Sequence, residues 1–151
     1  MRVSVTEVSK LNLIFSVYLP GLCLSFGRGL LLPILPLYVR SFDASYSVVG
    51  VVLAAESLGN LVSDVPAGII LRKLGQKPVM LLGLGLAVAG TSALAFADSL
   101  LQVFLFHLLS GVGAALWHTS RHAYLAEVIP LGLRGRANST MGGIGRMGSF
   151  L

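Results

Sequence analysis

Four stretches of this chain are too long and too apolar to fold as ordinary core segments in water, and they limit the class of structure open to it. From Leu11 to Val39 the only charge is Arg28, and from Ser47 to Leu71 the charges are Glu56 and Asp64. Pro78 to Ala97 carries none, and Leu100 to Ser120 holds only His107 and His118. Each stretch reaches the roughly 20 residues that a helix needs to cross the hydrocarbon core of a bilayer. A fifth, Ala137 to Leu151, contains Arg146 and falls about five residues short of a span. With 55% hydrophobic and 11% charged residues and a mean hydropathy of +0.86, a soluble fold of 151 residues could not cover its own surface.

Helix is the expected secondary structure. A strand in lipid must belong to a closed barrel and would alternate over roughly ten residues, and none of these stretches alternates. Turn chemistry separates them: SFDAS, RKLGQKP, ADS and VIPLGLRGR. Pro78 suits a first helical turn, where its missing N–H costs nothing. The reading is an all-α membrane protein with helices at about 11–39, 47–71, 78–97, 100–125 and 137–151, forming one partial transmembrane bundle over residues 1–151.

The net charge of +5 raises the question of a nucleic-acid partner, and the placement of the charge answers it. Arg2 and Lys10 precede the first span, Arg72, Lys73 and Lys77 lie in the second connection, and Arg134 and Arg136 in the fourth. The first and third connections hold Arg40, Asp43 and Asp98. Basic residues on alternate connections follow the positive-inside rule for a cytoplasmic N-terminus in a plasma (inner) membrane, so no nucleic acid is expected. The first apolar run is too long for a secretory signal and is read as a retained helix. The lone Cys23 excludes an intrachain disulfide and is read as a small core or lipid-facing residue.

The stretch GIGRMG, from Gly143 to Gly148, fits a dinucleotide-binding pattern, but it follows a basic loop after a membrane span rather than a strand. Gly142, Gly145 and Gly148 are instead spaced by three, as in a small-residue strip where another helix approaches.

Between spans two and three, PAGIILRKLGQKPVMLLG resembles the loop signature of the major facilitator superfamily, roughly G-x-x-x-D-R-x-G-x-R-R, with Gly68, Lys73, Gly75 and Lys77 matching. LAEVIPLGLRGRANS is similar to that family's acidic-Pro-x-x-x-Arg-Gly-Arg connection, which includes Arg134, and HLLSGVG to its R-x-x-x-G-x-G pattern in helix four. LPILPLYV at the end of helix one is also typical. Arg72 stands where the family loop usually has Asp, a departure from the charge lock of that loop, and His107 stands where helix four usually has Arg. The resemblance implies four transmembrane helices and the start of a fifth from the N-terminal six-helix half of a major facilitator fold. It also implies a secondary transporter of small organic molecules, working by alternating access without ATP, with a lean toward proton-coupled efflux by an antiporter. The partners so implied are the lipid bilayer, an unknown small-molecule substrate, protons and the C-terminal helices of the same fold. The alternative is a truncated, non-transporting fragment or a helical scaffold.

Ionisable residues at membrane depth read as functional, with a structural ion pair as the rival. Arg28 is about ten residues before the outer end of helix one, Glu56 about nine into helix two and His107 about eight into helix four, at similar depths. Arg28 and Glu56 are expected to pair near His107, either as a proton-coupling group or as a static brace. Asp64, nearer the cytoplasmic end, has Arg121 and Arg146 as candidate partners, in a structural or gating role. His118 and His122 share a helix face as packing or interfacial residues, with no third ligand for a metal. Trp117 and Tyr124 suit the inner interface. Helix three, apolar on every face, is either wholly buried or open to lipid, and the resemblance implies the second, with Gly83, Gly85 and Gly90 allowing close contact with a neighbour. No catalytic residue, cofactor or metal set is evident, and no enzyme is expected.

Overall fold

The computed structural model describes residues 14–150, all of whose regular elements are helical. Arg2, Lys10, the first residues of the expected helix one and Leu151 lie outside the described residues. A π-helical turn, Ile14–Tyr18, leads into α1 (Leu19–Arg40). There follow α2 (Tyr46–Leu74), α3 (Gln76–Ala93) with a 3₁₀ turn at Leu94–Phe96, α4 (Leu100–Val128) and α5 (Leu131–Phe150). The first four, α3 taken with its 3₁₀ turn, are long and apolar enough to cross a membrane. The protein is an integral, multi-pass membrane protein. Two compact units divide the chain: Leu31–His122, and the residues up to Leu30 together with those from Ala123 onward.

In the unit Leu31–His122, the ends of the helices follow from local chemistry. Ser45 caps α2, its Oγ accepting from the Val48 N–H at 3.4 Å. Ser99 and Gln102 do the same for α4: the Gln102 N–H donates to Ser99 Oγ at 3.4 Å, and Gln102 Oε1 accepts from the Asp98 N–H at 2.7 Å. The second connection shrinks to one residue, Gly75, because Arg72 to Leu74 finish α2 and Gln76 to Pro78 begin α3. Gly75 has φ +82°, a left-handed value open to glycine at little cost, and its N–H closes α2 on the Leu71 carbonyl at 2.9 Å. The glycine of the loop signature therefore has a backbone reason to be glycine.

The Tyr38 hydroxyl donates to the Ala97 carbonyl at 2.9 Å, which places the first and third connections at one end of this unit, as an up-and-down helix order requires. A core cluster of Leu35, Val39, Val49, Val52, Leu94 and Val103 packs beneath them. Arg40 braces the first connection, donating to the Ala44 carbonyl at 3.0 Å while its guanidinium lies 4.6 Å from the centre of the Tyr46 ring.

In the other unit α5 begins at Leu131, six residues ahead of the expected 137, because only Ile129 and Pro130 interrupt the helical run. Proline lacks the N–H that would continue α4 and disfavours helical backbone at the residue before it. Arg134 then reaches back to the end of α4: its Nε donates to the Ile129 carbonyl at 3.0 Å and its NH2 to the Ala126 carbonyl. The family-like Arg134 is thus a C-terminal cap of α4. Arg134→Ala is expected to destabilise this junction by about 1–2 kcal/mol, since two charge-assisted bonds are lost but the site is partly wet. Arg134→Lys should recover less than half, as an ammonium lacks the planar fork. Equal melting temperatures for all three proteins would remove the capping role.

The α5 strip behaves unevenly. A Cβ on Gly148 would lie 2.8 Å from Ser25 Cβ, and one on Gly145 at an ordinary 3.7 Å from Ser25 Oγ, while Gly142 faces open space. Gly29 meets Ser149 from the α1 side, its Cβ position 2.7 Å from that carbonyl. The close approach is confined to the last turns of α5.

Candidate functional site

The strongest constraint on the site is a pair of glycines where α2 crosses α4. A Cβ on Gly59 would stand 2.2 Å from the Leu108 carbonyl oxygen, and one on Gly111 would stand 2.1 Å from that of Glu56. Both distances are far inside contact, so the two backbones touch through hydrogen alone. Gly59 belongs to a four-residue rhythm of small buried residues on α2, Ala55, Gly59, Ser63 and Ala67. That rhythm is the sequence signal that identifies this face, and the periodicity of larger residues does not reveal it.

Gly113 lies two residues beyond Gly111, hence about 200° around the helix. Its Cβ position is 2.3 Å from the Ala87 nitrogen on α3. The G-x-G of HLLSGVG therefore admits α2 on one side of α4 and α3 on the other. From α3, Gly83 and Gly90 return the contact, at 2.5 Å to the Trp117 nitrogen and 2.7 Å to the Ser110 nitrogen, whereas Gly85 meets nothing within 4 Å. The Thr91 and Ser110 hydroxyls lie 3.1 Å apart across the same seam. Elsewhere on α3 Val79 and Met80 are buried, while Leu81 and Val88 are exposed. Trp117, expected at the interface, is only 2% exposed; it sits on the α3-facing side of α4 and is a core residue.

One helical turn from Gly111 on the same face, His107 Nε2 approaches Glu56 Oε2 at 4.0 Å, with side-chain exposures of 6% and 23%. Asn60 donates to the Glu56 backbone carbonyl at 3.0 Å. The close crossing is what brings a carboxylate and an imidazole together inside a span, where each disfavours isolation of the other. Farther along this face, within about 40° of one line, come Gly111, Ala114, His118 and Arg121.

Against this geometry stand the comparisons with known proteins. The profile of the Major Facilitator Superfamily matches residues 17–151. The chain belongs to the major facilitator superfamily. Multidrug resistance protein 2 of Bacillus subtilis is 29% identical over 134 residues, covering 87% of this chain and 33% of that protein. Quinolone resistance protein NorA of Staphylococcus aureus is 26% identical over 117 residues, 78% of this chain and 30% of NorA. The class B tetracycline resistance protein of Escherichia coli is 35% identical over 94 residues, 60% of this chain and 23% of that protein. This chain spans about a third or less of the length of these relatives. No solved structure matches it at a significant level.

The remaining facilitator-type residues fall in three places. Arg72, Lys73 and Lys77 are exposed at the α2–α3 junction, and Gly68 has open space around it. Asp64 is also exposed, and it forms no ion pair with Arg121, although both belong to one unit; Arg121 is buried beside His122. Arg28, half-buried in α1, and Arg146, exposed on α5, belong to the other unit. Cys23 is exposed. Among the described residues no group of three potential ligands could hold a metal ion.

Proposed function

We propose that this chain forms N-terminal helices of a secondary transporter that exports small organic molecules in exchange for protons, by alternating access between two helical halves. The observation that carries the proton part is the Glu56–His107 pair, 4.0 Å apart within two spans. A carboxylate and an imidazole so placed can exchange one proton between charged and neutral arrangements, which lets the protonation state follow the side from which the site is open. Arg28 is a third candidate for the coupling set on its position along α1 alone. Relatives named for multidrug, quinolone and tetracycline resistance support the outward direction and an organic cargo. The basic α2–α3 junction supports an inner-membrane orientation with a cytoplasmic N-terminus.

The test uses the complete transporter in liposomes, loaded with ethidium as a reporter cargo. Glu56→Gln keeps the size of the side chain but removes the titrating oxygen, and is expected to abolish movement driven by a pH gradient while dye binding persists. Proton-driven movement at the parent rate would exclude Glu56 from coupling.

A further inference from the structure

Arg121 lies on the His107 face of α4, about 20 Å farther along the helix. It is 9% exposed, and its Nε is buried with no hydrogen-bond partner among the described residues. Its NH2 lies 3.5 Å from the ring Nε2 of His122, a group that brings no negative charge. Asp64, the expected counter-ion, is exposed and unengaged with it.

A buried guanidinium without a counter-charge is costly, and its planar fork of donors fits a carboxylate in two parallel bonds. We propose that Arg121, with His118 and His122 beside it on α4, is the binding point for the carboxylate of a small organic anion, and that the transported molecule carries such a group. The inference rests on the transporter reading above and adds the charge of its cargo. An anion arriving at Arg121 supplies the missing acceptor.

Melting of the complete transporter in detergent tests it, with benzoate and hexanoate as probes and benzamide and hexanamide as their uncharged counterparts. At least one acid should raise the melting temperature while its amide does not. Arg121→Gln should erase that shift, and Arg121→Lys should weaken the acid about tenfold by losing the fork; the lysine variant decides the matter if the glutamine one does not accumulate. Without any probe, Arg121→Gln should melt at or above the parent, because it removes an uncompensated buried charge. A lower melting point would reveal an internal counter-ion and overturn the proposal. Equal responses to acid and amide, or a shift that survives Arg121→Gln, would overturn it as well. So would stabilisation seen only in phosphatidylglycerol vesicles and not in phosphatidylcholine, which would make the occupant a lipid phosphate. Ethidium transport run alongside separates the two readings: proton-driven dye movement without acid binding leaves the transporter standing and sinks the anion site, and acid binding lost in Arg121→Gln without transport of any probe overturns the transporter reading and the cargo claim, leaving Arg121 a binding point alone.

Discussion

Gly111→Ala is expected to cost the folded bundle about 3 kcal/mol, the upper range for forcing an extra group into a closed interior. The added methyl would meet the Glu56 backbone carbonyl at 2.1 Å, and a main-chain atom in mid-helix cannot swing aside as a side chain can. Relief requires α2 and α4 to part, which breaks the reciprocal contact at Gly59 and draws Glu56 away from His107. Gly59→Ala should cost a similar amount, and the double substitution should cost clearly less than the sum, since a crossing opened once accepts both methyls. Gly83→Ala acts on the α3 seam and should add to Gly111→Ala in full. Gly85→Ala, with open space around it, should be neutral or slightly stabilising. Thermal melts of the parent, the four single variants and the two double variants (Gly59 or Gly83 with Gly111) in one detergent decide this, and a Gly111→Ala protein as stable as Gly85→Ala would show that the two backbones do not touch at this crossing.

Replacing the imidazole gives the second large effect. Imidazole is the side chain whose ordinary titration falls between about pH 5 and 8, and a glutamine in its place keeps a polar group near Glu56 without the proton. His107→Gln in the complete transporter should therefore flatten the dependence of transport on pH across that range to less than about twofold. Folding should survive, because the α2–α4 crossing is held by the glycines. Transport rates measured from pH 5.5 to 8 check it. A profile identical to the parent's would place proton exchange elsewhere and leave His107 a packing residue. An effect on expression alone would mark the pair as a brace.

The apolar lengths of four stretches, together with their near absence of charge, determined on their own that the chain makes membrane-spanning helices, because bilayer thickness and the need to satisfy backbone polar groups leave little choice. The loop glycine at Gly75 and the basic residues around it were legible for the same local reason. Pairing across helices was not local. Nothing in the run around Asp64 says that it faces outward while Arg121 is buried, and nothing about Trp117 says core rather than interface. Both depend on which face of α4 meets its neighbours. Only the tertiary structure decided that Gly59 and Gly111 press two backbones together, that Gly113 opens the other side of α4 to α3, and that Glu56 therefore meets His107. The physical reason is that helix contacts within a bilayer are selected by shape at a few small residues, whereas span formation is set by summed transfer energy along the chain.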